Sequence, residues 1–565
     1  MDKEEKLRLL QQLLGPRAQQ TQQDPLVLRR AIVDPGHVNT YKMPGDMSPV
    51  VSRWLDPANG NVTKGNQVTY LIRGEATYRA MREAIATTSN DPSHFIVLAG
   101  WSVTLDFPLH DAAGLQPTMG ELLSDAANIR KVKVRGIFWR QADEVASAVK
   151  RYGPNVGILT LVSPALGAVG AGVLGALVAH DRGEVTGRSI LGMEGQNFEE
   201  VKFINALPGA IGILDKHTST LVGCHHQKIL VVNGDRGLIA FVGGLDVFPD
   251  RIWPNGSNGS RGAGSPYQDL HCKIEGPGAM DVLAVAVERW KKCGVPEASH
   301  DNPDSWVSAA KPVKVRQPTC SVQIGHTWGN PTCAPPMKTA KAIILKAIAA
   351  ASKYIYVEDQ YLVNLEAAAA LHDAVPKIRH LTIVVPDWRI SDMPQCTYRR
   401  RQFILKILDG LSPTDAKKVG IYCLDPPGAR FTYVHSKFWI FDDECAIIGS
   451  ANCNRRGWDS DSEVVAATVE EVDPWKTELT FAHRLRMDLW AKHLGVPHWQ
   501  VHDGIASGVL FRQRAPTARV RPYDLSEHDG FDLDNPTKHE WFNRWLQLFG
   551  RSGYDQLWNL GIDPP

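Results

Sequence analysis

The chain has 565 residues, 43% hydrophobic and 22% charged, a balance that excludes a disordered or low-complexity protein and gives room for roughly two to four domains. Lys and Arg (62) nearly cancel Asp and Glu (61), so the net charge of +1 excludes a broad basic field for nucleic acid while leaving room for a local basic pocket. Nine cysteines, an odd number without C-x-x-C pairs, argue against a disulfide framework or a structural zinc site and fit a reducing compartment of synthesis.

In chain order, Met1-Asp2-Lys3-Glu4-Glu5 lacks an apolar h-region, so no conventional secretory signal is read and synthesis in the cytoplasm is expected. Residues 1–60 read as a polar, turn-rich leader with a short helical pattern at Leu7, Leu9, Leu10, Leu13 and Leu14. It is expected to pack on the first half or to extend from its surface. Residues 61–310 form that half. Val68 to Ile72, Phe95 to Ala99 and Val132 to Trp139 read as strands, and Glu75 to Thr88 as a helix. Strands alternating with helices imply an α/β sheet covered on both faces.

An apolar insertion lies at 150–195. From Val156 to Ala179 no residue is charged, and the length permits a membrane span. Pro164 and the glycines weaken it as a helix, and the flanking strands must return to one sheet. Two readings stand: a buried helix or hairpin over the sheet, or an insertion that dips into a bilayer. Pro249 to Tyr267, rich in Gly, Ser and Asn, reads as a loop at the entrance to a site, and Asp281 to Cys293 as a helix.

Pro303 to Pro318 reads as a connector, and 311–500 repeat the plan. Cys320 to Ile324, Tyr354 to Val357, Leu381 to Val385 and Val419 to Leu424 read as strands. Lys338 to Ser352 and Tyr398 to Leu411 read as helices. Residues 501–565 form an extension with a helix over Pro536 to Phe549, whose Trp541, Trp545 and Leu548 share one stripe.

The chemistry gathers in one motif that occurs twice. His435-Ser436-Lys437 precedes a buried-strand run, Asp442, a second run and Gly449-Ser450-Ala451-Asn452. His226-Gln227-Lys228 precedes Ile229 to Val232, Asn233 and Gly243-Gly244-Leu245-Asp246. The histidines are 435 − 226 = 209 residues apart, about one domain. In a strand i and i+2 face one way, so each motif sets an imidazole beside a fixed positive charge, the pair a phosphate centre needs. Two loosely matching halves imply a duplicated fold with one shared site.

These residues resemble the phospholipase D superfamily, in which two such motifs meet at one centre. Further stretches match its larger lipid enzymes: Ala99-Gly100-Trp101-Ser102-Val103, Asp269-Leu270-His271-Cys272-Lys273, Tyr356-Val357-Glu358-Asp359-Gln360-Tyr361 and Arg486-Met487-Asp488-Leu489-Trp490. The resemblance runs from about Gln67 to Gly495 and implies an α/β fold of two pseudo-twofold-related halves, each a mixed sheet flanked by helices, with the site at their interface. It implies His226 as a nucleophile that forms a phosphohistidine, and His435 as the acid that then activates water or an alcohol. Lys228, Lys437 and Asn452 are implied as phosphate ligands, and Gly244, Asp246 and Ser450 as substrate-binding residues. Asp269 and Glu463 are expected each to orient the histidine of the opposite half. Asn233 stands where the family has aspartate, which usually supports a turn. His225 and His271 read as neighbours rather than catalysts, and Arg455-Arg456 as a solvated pair.

No metal or other cofactor is required for this chemistry, and no carboxylate cluster for one is evident. The resemblance implies hydrolysis of glycerophospholipids to phosphatidate and a free headgroup, with transfer to alcohols as a side reaction. A phospholipid membrane is the expected partner, and nucleic acid is not. The signal-less start and the apolar insertion together resemble phospholipase D effectors that bacteria deliver into other cells by type VI secretion, for which an immunity protein or secretion-machinery partner is expected. A superfamily nuclease, a cardiolipin-synthase-like phosphatidyltransferase and a binding protein with a dead site are the alternatives.

Overall fold

The computed structural model describes residues 47–111, 114–140, 190–215, 224–252, 267–293, 302–316, 319–328, 337–387, 394–424, 432–472, 478–514 and 520–523. The apolar run 156–179, nearly all of the entrance loop, the leader before residue 47 and the helix at 536–549 lie outside them. Among the described residues, no helix is long and apolar enough to cross a membrane.

Uninterrupted apolar runs form strands buried on both faces. The main-sheet strands in chain order are β1 (Val62–Ile72), β2 (Phe95–Gly100), β3 (Lys133–Trp139), β4 (Ile211–Asp215), β5 (Ile229–Gly234), β6 (Gly237–Gly243) and β7 (Leu270–Glu275), followed by β8 (Cys320–Trp328), β9 (Tyr354–Asp359), β10 (His380–Val384), β11 (Val419–Leu424), β12 (Lys437–Phe441), β13 (Cys445–Gly449), β14 (Ser462–Glu470) and β15 (Val520–Pro522). Their order across the sheet is β15-β11-β10-β9-β12-β13-β14-β8-β1-β7-β6-β5-β2-β3-β4. Read outward from the β8–β1 junction, the two wings repeat one order. β2-β3-β4 and β9-β10-β11 are parallel, and each joins an antiparallel hairpin that carries an H-x-K motif, β5–β6 or β12–β13.

The sheet is continuous because β1 serves both wings. Its first residues pair with β8 (Val62 opposite Gln323), and after an irregularity at Thr63–Asn66 its remainder pairs with β7 (Gln67 opposite Glu275). One face carries a single core spanning both wings, covered by the helices Gly278–Lys292 and Phe481–Leu494. The latter starts at Thr480, whose hydroxyl accepts the His483 N–H at 3.1 Å, and stops at Gly495 with φ 63°. On the other face each wing has its own core, giving three layers.

The end of the leader departs from expectation. Pro49–Trp54 is a helix, and Val51, Trp54 and Leu55 lie in the second wing's core rather than on the first. Each large apolar side chain buried this way contributes roughly 1.5–3 kcal/mol. Arg53 extends from this helix to the β12–β13 loop, where Asp442 and Asp443 take φ of 56° and 61°. The Asp442 carboxylate accepts Arg53 at 2.6 Å and the backbone amides of Ser352, Lys353 and Tyr354 at 2.8–2.9 Å. The aspartate of the motif is therefore a tertiary staple remote from the histidines. In the β5–β6 hairpin, Asn233 makes a lesser bond to Ser93 O at 2.9 Å.

Candidate active site

The motif histidines sit just before β5 and β12, where both hairpins face the junction between the wings. The backbone locks them across it. The His226 N–H donates to Ser462 O at 3.0 Å, and the His435 N–H to Gln268 O at 2.8 Å. His226 Nδ1 lies 2.8 Å from Glu463 Oε1 on β14 of the other wing. His435 Nδ1 lies 2.6 Å from Asp269 Oδ2, just before β7 of the other wing. Each imidazole is thus oriented by a buried carboxylate from the opposite half, as expected of Asp269 and Glu463.

The remaining candidates divide into groups on the centre and groups behind it. Lys228 folds back on His226 O at 2.9 Å and Lys437 on His435 O, so each ammonium is fixed beside its own histidine. Lys437 also donates to Gln360 Oε1 at 2.9 Å and stands 2.9 Å from His435 Nδ1. Asn452 is buried, and among the described residues its Oδ1 has no hydrogen-bond partner. Trp101 meets His226 edge-on with centroids 5.8 Å apart, and Tyr267 lies 5.1 Å from the His435 ring.

Three residues expected to touch substrate serve other groups. Asp246 Oδ2 lies 3.3 Å from Lys228, and Oδ1 accepts the N–H of Trp101 at 2.8 Å and of Ser102 at 3.3 Å. Its carboxylate holds the lysine and the β2 loop, and as an anion it is ill suited to a phosphate. Ser450 Oγ donates to Glu463 Oε2. Gly244 abuts the other orienting carboxylate: a Cβ there would stand 2.2 Å from Asp269 Oδ1. Arg456 is buried, not solvated, and bonds Asp461 at 3.1 Å. His225 pairs with Asp215 at 3.3 Å, and His271 is buried behind Gly243, so both are neighbours.

Sequence reading missed the groups that brace this centre. Asp359 accepts the amides of Tyr361 and Leu362 at 2.8 Å and of Cys453 at 2.9 Å. Glu358 collects Tyr356 OH, His493 Nε2 at 2.7 Å, Ser436 Oγ at 3.1 Å and Gln268 Nε2 at 3.3 Å. Charged residues ending the apolar run Tyr354 to Val357 were the available signal.

Burial and crowding by cations set the proton inventory. Burial, then Lys228, Lys437 and Arg456, holds His226 well below the usual imidazole range, so its neutral form is favoured. Burial pushes Glu463 well up, against the pull of Lys228. The two titrate as a pair. With one proton, on Nδ1, the pair presents a free Nε2 lone pair and an ionised Glu463 held by Ser450; a second proton removes that state. Burial raises Asp269 to about 7, opposed by Lys437 and the Leu270 amide, and lowers Lys437 to about 7. The cluster can present one unprotonated imidazole nitrogen, a second imidazole with its own carboxylate, and two lysines. That set suits nucleophilic displacement at a phosphodiester.

Known proteins agree at the level of family and fold. A family profile described as "Cardiolipin synthase, PLD-like domain" matches residues 344–483. Phospholipase D alpha 1 of Cynara cardunculus is 25% identical over 73% of this chain and 64% of its own, so the chain spans a little under two thirds of that relative. Phospholipase D alpha 2 of Oryza sativa subsp. japonica is 25% identical over 82% of this chain and 70% of its own. The crystal structure of phosphatidylserine synthase from Haemophilus influenzae Rd KW20 superposes with a TM-score of 0.50 at 12% identity, covering 87% of this chain and 94% of that one.

Proposed function

We propose that this chain, a member of the phospholipase D superfamily, hydrolyses glycerophospholipids to phosphatidate and a free headgroup alcohol. The single observation that carries the reading is the crossed pair of orienting contacts, Glu463 on His226 and Asp269 on His435. It puts two imidazoles from different halves under separate control, as a two-step displacement requires.

In the first step His226 Nε2 attacks phosphorus, the bond from phosphorus to the headgroup oxygen breaks, and His435 gives its Nε2 proton to that oxygen. In the second, water attacks the phosphohistidine, His435 takes its proton, and the P–N bond breaks to release phosphatidate and restore His226. One residue serves as acid and then base, as microscopic reversibility asks. Lys228 and Lys437 offset the charge on the nonbridging oxygens. An alcohol in place of water gives transfer instead of hydrolysis.

The test is incubation with mixed-phospholipid vesicles and a primary alcohol, read by mass spectrometry, beside His226→Ala and His435→Ala. Phosphatidate and phosphatidyl-alcohol from the native protein alone are expected. Transfer between lipids without hydrolysis would favour a phosphatidyltransferase, and cleavage of nucleic acid with no lipid turnover would overturn the lipid reading.

A further inference from the structure

The two wings treat one equivalent corner differently. In the second wing the β12–β13 loop is sealed: Asp442 takes Arg53, and Glu444 takes Arg53 at 3.0 Å and Trp54 at 3.2 Å. At the matching β5–β6 loop a neutral Asn233 replaces that carboxylate, and a cavity of about 1120 Å³ opens beside it. Ser93, Asn233, Arg236, Lys311, Lys314 and Arg316 line it. Both acids of the lining are engaged. Glu275 takes Arg236 at 2.5 Å and Lys273 at 2.9 Å, and Asp235 takes Ser89 Oγ at 2.8 Å. Among the described residues, Lys311, Lys314 and Arg316 make no ion pair.

These cations are placed by a fastened segment. The Leu238 N–H donates to Lys311 O at 2.8 Å. Gly237, at φ 100°, permits the approach, since a Cβ there would meet Lys311 O at 2.7 Å. Val313 is buried in the first wing's core, while Lys314 and Arg316 alternate outward. The cavity lies at the far end of β5 from Lys228, six residues away and so roughly 20 Å by strand rise, which separates it from the catalytic centre.

We propose that this cavity is a binding site for a phosphate-bearing anion, gripped by Lys311, Lys314 and Arg316 beside the neutral Asn233 and Ser93. An aspartate at position 233 would add a competing charge to the lining. The ligand is either a free phosphoryl compound or a phosphomonoester headgroup at a membrane surface.

The experiment compares the native chain with Lys314→Glu/Arg316→Glu, both positions being exposed and outside the catalytic machinery. Inorganic phosphate is titrated calorimetrically, and turnover of a soluble phosphodiester, expected unchanged, reports folding. Flotation with phosphatidylcholine vesicles, with and without phosphatidate, is run in a His226→Ala background so that the vesicles stay intact. Loss of one phosphate site, or its weakening by roughly tenfold (about one charged contact), in the double variant supports the proposal with a free ligand. Capture by phosphatidate vesicles that needs Lys314 and Arg316 supports it with a membrane source. Identical phosphate titrations together with identical flotation would overturn it.

Discussion

Replacing Asp269 by Asn tests the crossed arrangement most sharply, because the variant is almost isosteric and has nowhere to move. Asp269 Oδ2 faces His435 Nδ1 at 2.6 Å, and Oδ1 accepts the Leu270 N–H at 2.7 Å. Gly244 packs against the same carboxylate. The Leu270 amide is a donor, so an asparagine must turn its oxygen there and its NH2 toward His435. Nδ1 then becomes an acceptor, with Lys437 as a second donor 2.9 Å away. The proton moves to Nε2, leaving a neutral imidazole that cannot protonate the headgroup without becoming an imidazolate, so the first step is the one impaired. Losing a hydrogen bond to a charged group costs about 1.5–3 kcal/mol, and the tautomer error raises the loss toward the roughly 10⁴-fold seen when a triad aspartate is amidated. Expected is a fall in kcat of roughly 10³–10⁴-fold on dispersed short-chain phosphatidylcholine, with KM little changed. Rapid-quench mass spectrometry should find no phosphohistidine accumulating, since the first step is the one that fails. A kcat within about tenfold of native, or phosphohistidine accumulating in the variant, would refute the tautomer argument.

The same burial predicts a stability gain from that substitution. Asp269 is raised to about 7 in the folded chain, so the stability its protonated form contributes is full below the unfolded carboxylate range and is lost as pH rises through about 7. Asp269→Asn should therefore raise Tm at pH 8 and lose that advantage toward pH 4; an equal Tm difference at both would contradict the sign. In the native enzyme kcat should fall as pH drops below about 7, when protonation of Asp269 removes its acceptor, and a flat profile from pH 8 to 5.5 would exclude that role. Glu358→Gln breaks the cluster of Tyr356, His493, Ser436 and Gln268 and should lower kcat roughly 10–100-fold, equivalent to one strong hydrogen bond; normal kcat with a lowered Tm would make it merely structural. Asp442→Asn turns an amide donor toward Arg53 or the amides of Ser352, Lys353 and Tyr354, and should cost about 2–4 kcal/mol in denaturant unfolding while activity per folded molecule is kept.

Much of this was legible in the residues alone. Apolar runs such as Phe95 to Ala99 and Phe438 to Phe441 announced strands covered on both faces, because local side-chain periodicity depends only on the backbone repeat. The duplicated H-x-K spacing announced two halves and the groups that would meet, and the contexts of Asp269 and Glu463 pointed to their crossed partners. What the chain order could not convey was assignment among similar polar groups. Asp246 and Asn452 occupy matching places in the two motifs, yet Asp246 is tied to Lys228 and Trp101, whereas the oxygen of the buried Asn452 finds no partner among the described residues. Ser450 and Gly244 likewise face the orienting carboxylates. The helix at Pro49–Trp54 packs on the second wing because Arg53 and Trp54 find Asp442 and Glu444 there, almost four hundred residues on (|i−j| = 389 and 390). Local pattern determined which segments are strands and which residues carry the chemistry. Only the tertiary structure decided which buried charge compensates which, because a buried ion is stable only beside the partner the fold brings to it.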